Sequence, residues 1–127
     1  MADKPVGGID MHPDVHSLSK EIRIDEVSLR LDKYDLRATE LEEEDKRIGA
    51  DVEVIKEEIV TIESNIKPDD VSVMAKRQRV KLGETKLRLK RLVLRKAQIV
   101  VEKRDIQKVM KDLKKQYDAL SKEVDNG

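Results

Sequence analysis

Residues 24–66 read IDEVSLRLDKYDLRATELEEEDKRIGADVEVIKEEIVTIESNI. Taken in alternating steps of three and four, they give Ile24, Val27, Leu31, Tyr34, Ala38, Leu41, Asp45, Ile48, Val52, Ile55, Ile59, Ile62 and Ile66, of which only Asp45 is not apolar. This is a heptad repeat, with a positions at Ile24, Leu31, Ala38, Asp45, Val52, Ile59 and Ile66 and d positions between them. A helix carrying so narrow an apolar stripe buries it only against another helix. The fold therefore turns on which helix that is.

Downstream, a second seam runs through Val71, Ala75, Gln78, Leu82, Thr85, Leu89, Leu92, Lys96, Ile99, Lys103, Ile106, Met110, Leu113, Tyr117, Leu120 and Val124. Lys67-Pro68-Asp69-Asp70 separates the two. Pro68 cannot continue the preceding helix and pushes Lys67 out of helical geometry, and Asp69 or Asp70 suits the cap of a new one. The organisation expected is an N-terminal flexible arm over 1–13, broken by Pro and Gly, then an acidic helix over 14–66, started by Asp14 or Ser17. A turn follows at 67–70, a basic helix over 71–124, and a helix-stopping C-terminal end at 125–127. Gly49 lies inside the first helix at an e position, as a bend or an exposed glycine. Two long seams joined by a short break predict an all-α fold, an antiparallel two-helix coiled-coil hairpin, with association into a four-helix or larger bundle.

The charges support that pairing. If the helices fold back at the turn, Ile62 lies by Ala75, Ile55 by Leu82, Ile48 by Leu89, Leu31 by Ile106 and Ile24 by Leu113. The flanking g positions then meet as Glu58 with Lys81, Asp51 with Arg88, Glu44 with Arg95 and Arg37 with Glu102. Every pair is opposite in sign, and the last reverses polarity on both helices at once. Such pairs add little energy but fix register and direction. Within the seam, Asp45 lies one layer from Lys96, a buried acid answered by a lysine and a possible register key. The Lys103 stem is expected along Tyr34, its ammonium outside. Parallel pairing of each helix with its own copy would instead set Asp45 beside Asp45 and Lys96 beside Lys96.

A hairpin needs only its a and d positions, yet this chain has further apolar repeats. The outward f positions of helix two are Val73, Val80, Leu87, Leu94 and Val101, flanked by Val93 and Val100 at e. Those of helix one begin Val15, Ile22, Leu29 and Leu36, with Leu18 at b. Apolar residues at seven-residue spacing on the outer face imply a second docking surface rather than scattered exposure. Two copies of the helix-two stripe laid antiparallel would match Val73 with Val101, Val80 with Leu94 and Leu87 with itself, as a two-fold dimer requires.

Composition bounds the function. Of 127 residues, 43% are charged and 2% aromatic, with no Phe or Trp, which suits a long seam better than a globular core. Disorder is the other reading of so charged a chain, and the unbroken heptads oppose it. There is no Cys, so no disulfide or thiolate chemistry. His12 and His16 stand four apart across Pro13 with no further His, a poor metal site. Neither a Gly-rich phosphate loop nor a triad of catalytic type is present. The expectation is a protein that is not an enzyme and takes no cofactor, metal or small molecule.

Net charge is zero but polarised: residues 1–68 hold 10 Lys/Arg against 18 Asp/Glu, and the remainder 17 against 9. Residues 40–58 hold nine acids that answer much of the basic run from Lys76 to Lys96. Lys76, Arg77, Lys90 and Arg91, at outward b and c positions, are unanswered and are candidate phosphate contacts. No aromatic lies near them for base stacking. The leading expectation is a coiled-coil scaffold or adaptor that binds itself, as a homo-oligomer, or other helical proteins. Alternatives are a nucleic-acid-binding hairpin using those four bases and a chaperone- or export-type hairpin gripping partner helices. Without an apolar run long enough to span a bilayer or a signal pattern, an intracellular, cytoplasmic location with no membrane span is expected.

Overall fold

The computed structural model describes residues 14–126, and the expected arm at 1–13 and Gly127 lie outside them. Two helices form an antiparallel hairpin: α1 over Val15–Ser64 and α2 over Val73–Asn126. By its contacts the described chain divides into two compact units, one of residues 38–105 containing the turn, the other pairing residues 14–37 with residues 106–126. Each unit is an antiparallel pair of helical segments.

The seam is the core in both. In the turn unit the buried apolar residues are Leu41, Ile48, Val52, Ile55, Ile62, Ala75 and Ile99; in the other they are Val27, Ile106 and Leu113. All are a or d positions. Thr85 is buried in the same row and satisfies its hydroxyl within α2 by donating to the Lys81 carbonyl at 2.7 Å. This is how a polar residue enters a helix seam without an orphaned hydrogen bond.

The helix boundaries differ from expectation where side chains decide them. Asp14 caps α1: its carboxylate accepts from the His16 N–H at 3.0 Å and the Ser17 hydroxyl at 3.2 Å. At the far end α1 stops at Ser64, two residues before Ile66, and the Asn65 and Ile66 N–H groups close short turns onto Ile62 and Glu63. The reverse turn over Lys67–Asp70 closes with the Asp70 N–H donating to the Lys67 carbonyl at 3.1 Å, Pro68 taking its second position. The cap of α2 is Ser72, not Asp69 or Asp70: its Oγ accepts from the Ala75 N–H at 3.1 Å. Val71, expected in the seam opposite Ile66, therefore precedes the helix and is 77% exposed. At the other end α2 runs on to Asn126, past Val124.

Candidate functional site

Asp70 and Arg79 hold the turn together. The Asp70 carboxylate accepts from the Ser72 N–H at 2.9 Å, and that backbone bond, with help from the Ser72 hydroxyl, holds its pKa below the ordinary aspartate range. Arg79 reaches back from α2, and its guanidinium donates to the carbonyls of Asp70 at 2.6 Å, Lys67 at 3.2 Å and Pro68 at 3.4 Å. These carbonyls lie in the connection between the helices, and one cation bridges them. Sequence reading did not identify Arg79, because its e position marks it only as a flank of the seam.

Of the four cross-helix charge pairs expected at g, Glu44 and Arg95 form a bidentate fork: Arg95 Nε donates to Glu44 Oε2 at 2.6 Å and an Nη to Oε1 at 2.7 Å. The bond to Glu44 raises the pKa of Arg95 further above its ordinary value. Both side chains are about one-third exposed, at 33% and 28%. Asp51 with Arg88 and Glu58 with Lys81 do not close into salt bridges; all four are exposed, where solvation and side-chain entropy compete with the pair. Arg37 and Glu102 belong to different units, and each engages some partner.

Asp45 and Lys96 meet at 3.5 Å, but as a half-exposed pair, 38% and 40%, rather than the buried one expected. A charge left at the rim keeps its hydration and avoids the desolvation cost of burial. Lys96 Nζ reaches the Asp45 carboxylate and lies so near Gly49 that a Cβ added there would stand 3.4 Å from it. Gly49 is consequently half-buried rather than an open surface glycine. Lys103 reaches Glu42 Oε1 at 3.5 Å and Lys86 reaches Glu63 Oε1 at 3.7 Å. Neither partner was read from the heptad, which places Cα levels and not the reach of a lysine.

Exchanging the Glu44 and Arg95 charges together is expected to leave stability nearly unchanged, while Glu44→Arg alone costs about 1 kcal/mol, since it sets two cations face to face. A double-mutant cycle in urea measures the difference; equal costs for the single and double variants would show that the fork does not set the register.

The outer stripes are the largest unpartnered feature. Val73, Val80, Leu87, Leu94 and Val101 on α2, with Val93 and Val100, are 47–66% exposed. All lie in the turn unit, whose α1 carries Glu43 and Glu57 at its own exposed f positions. Val15, Leu18, Ile22, Leu29 and Leu36 on α1 are also exposed and all lie in the other unit, where the f positions of α2 are the exposed Lys108, Lys115 and Lys122. Each unit thus carries an apolar f row on one helix and a more polar f row on the other. Met74, Val54, Val60 and Val109 are further exposed apolar residues that the seven-residue reading did not single out.

Lys76, Arg77, Lys90 and Arg91 are exposed beside the α2 stripe, and none is in an ion pair within the described chain. Among the described residues there is no group of His, Cys, Asp or Glu arranged to hold a metal ion, and no helix is long and apolar enough to cross a membrane. Two of the concavities among the described residues are grooves open to solvent. One is lined by Val54, Glu57, Glu58, Thr61, Ile62 and Lys81. Another, beside the α2 stripe, is lined by Ala97, Gln98, Val101, Glu102 and Asp105. No protein-family model matches the chain, and neither does any curated protein or solved structure.

Proposed function

We propose that this chain is a non-enzymatic assembly module, a coiled-coil scaffold or adaptor whose outer stripes dock onto helices of another subunit. One observation carries the reading: the a/d seam is already satisfied inside the hairpin, yet both helices keep a second apolar row, spaced by sevens, in solvent. Burying one such Leu or Val contributes about 1.5–3 kcal/mol, so several in register suffice for a specific helix contact. Seven-residue spacing favours a helical partner over a flat or irregular one, because only another helix repeats at that interval.

The test is stripe-dependent association. Leu87→Glu and Leu29→Glu should each leave circular dichroism strongly helical, because both residues lie outside the seam, and each should abolish capture of helical partners from the native source. Unchanged capture by both variants would remove the stripes from the function. A second reading has its own observation, the four unpaired bases beside the α2 stripe. Nucleic-acid binding through them would fall steeply with salt and be lost on reversing Lys90 and Arg91.

A further inference from the structure

We infer that the α2 stripe of one chain docks on the α1 stripe of a second copy, making a heterologous contact between two different faces of the same protein. The inference rests on the assembly reading above and names its partner. Its basis is the charge beside each stripe. On a helix, residues three and four away flank a given position, so the b and c residues border an f stripe. Beside the α1 stripe these are Asp25, Glu26, Asp32 and Glu40, with Lys33 the one base among them. Beside the α2 stripe they include Lys76, Arg77, Lys90 and Arg91, with Glu84 the acid between them. All ten are exposed, and none is spent on an ion pair within the described chain.

Like pairings fare worse. Two α2 stripes laid antiparallel about Leu87 bring Glu84 to Arg91, but Lys76, Arg77 and Lys90 then face Ala97, Gln98 and Gly83 while two basic surfaces approach each other. Two α1 stripes bring acid against acid. Only the mixed pairing joins apolar rows of the same spacing while setting an acidic border against a basic one. Opposed potentials of this kind select partner and orientation more than they add affinity. Because the two faces differ, a chain bound through one still offers the other. Contacts of this class propagate as an open series or close into a ring.

Sedimentation of the full chain and two variants tests this. The unmodified chain should sediment above its 14.6 kDa monomer mass. Leu29→Glu removes one face and Leu87→Glu the other, so each variant alone should be monomeric. Their equimolar mixture should form a one-to-one pair and stop there, since the intact α2 stripe of the first meets the intact α1 stripe of the second. Circular dichroism checks that each variant is folded; should Leu29→Glu lose helix, Leu36→Glu on the same stripe takes its place. Association of either variant alone to the same extent as the unmodified chain would overturn the inference in favour of a contact between like stripes, and the assembly reading would stand. An unmodified chain that stays monomeric would overturn it too. In that case stripe-dependent capture of another protein decides separately whether the assembly reading survives.

Discussion

Leu41→Ala is expected to lower the free energy of unfolding by about 2–5 kcal/mol. Leu41 sits at a d position of α1, in the turn unit, with 0% of its surface exposed. Removing its branched end loses the transfer free energy of those atoms and leaves a cavity that two helical backbones cannot readily close. The matched comparison is Leu87→Ala, the same deletion at an f position that is 47% exposed. Below the concentration at which chains associate, that change should stay within about 0.5 kcal/mol. Urea unfolding followed by circular dichroism separates the two, as a large fall in midpoint for Leu41→Ala and almost none for Leu87→Ala at similar slope. If both leucines cost the same, the seam is not what holds the hairpin closed.

Arg79→Ala is expected to cost about 1–2 kcal/mol, below the full value of a charged hydrogen bond because two of its three carbonyl contacts are exposed. The loss should be local before it is global. Amide exchange at Asp70 and Ser72 should speed up while the seam amides around Ile48 and Val52 keep their protection. Acid should act on the same turn. The Asp70 carboxyl is held below its ordinary range by the Ser72 N–H, so its contribution is complete above that range and is lost as pH falls from about 4 through the lowered value. Asp70→Asn should flatten this acid dependence of turn-amide exchange. Turn amides that exchange no faster in Arg79→Ala would mean that the Pro68 turn holds its shape without the arginine.

Part of the candidate surface was legible because it depends on periodicity alone. Val80, Leu87 and Leu94 are seven apart, and any α-helix that buries Leu82 and Leu89 must turn them outward. Glu44 and Arg95 were legible for a related reason: g positions of antiparallel helices meet at one level, and an arginine is long enough to fork a glutamate there. Charge sign at the right level was not sufficient for Asp51 with Arg88 or for Glu58 with Lys81. On an exposed flank, solvation leaves little net free energy to order two flexible side chains. Asp45 departs from its heptad position for the same reason. Its a position says that it points toward the seam, but a carboxylate beside a long lysine can tilt to the rim and keep its water.

The sequence by itself determined two helices, their antiparallel return at Pro68, the seam between them and the second apolar rows on their backs. Each of these follows from a residue's place in a repeat or from the fixed backbone of proline, which are properties of the chain before it folds. Tertiary structure decided what depends on the reach and solvation of particular side chains. Ser72 rather than an aspartate caps α2, Arg79 gathers the turn carbonyls, and Lys96 and Lys103 reach Asp45 and Glu42. It also decided that the two stripes fall in different units, each paired with a more polar f row on the other helix. A heptad register places backbones at a common level; where a lysine, an arginine or a cap closes its contact is set by the groups the folded chain puts within its reach.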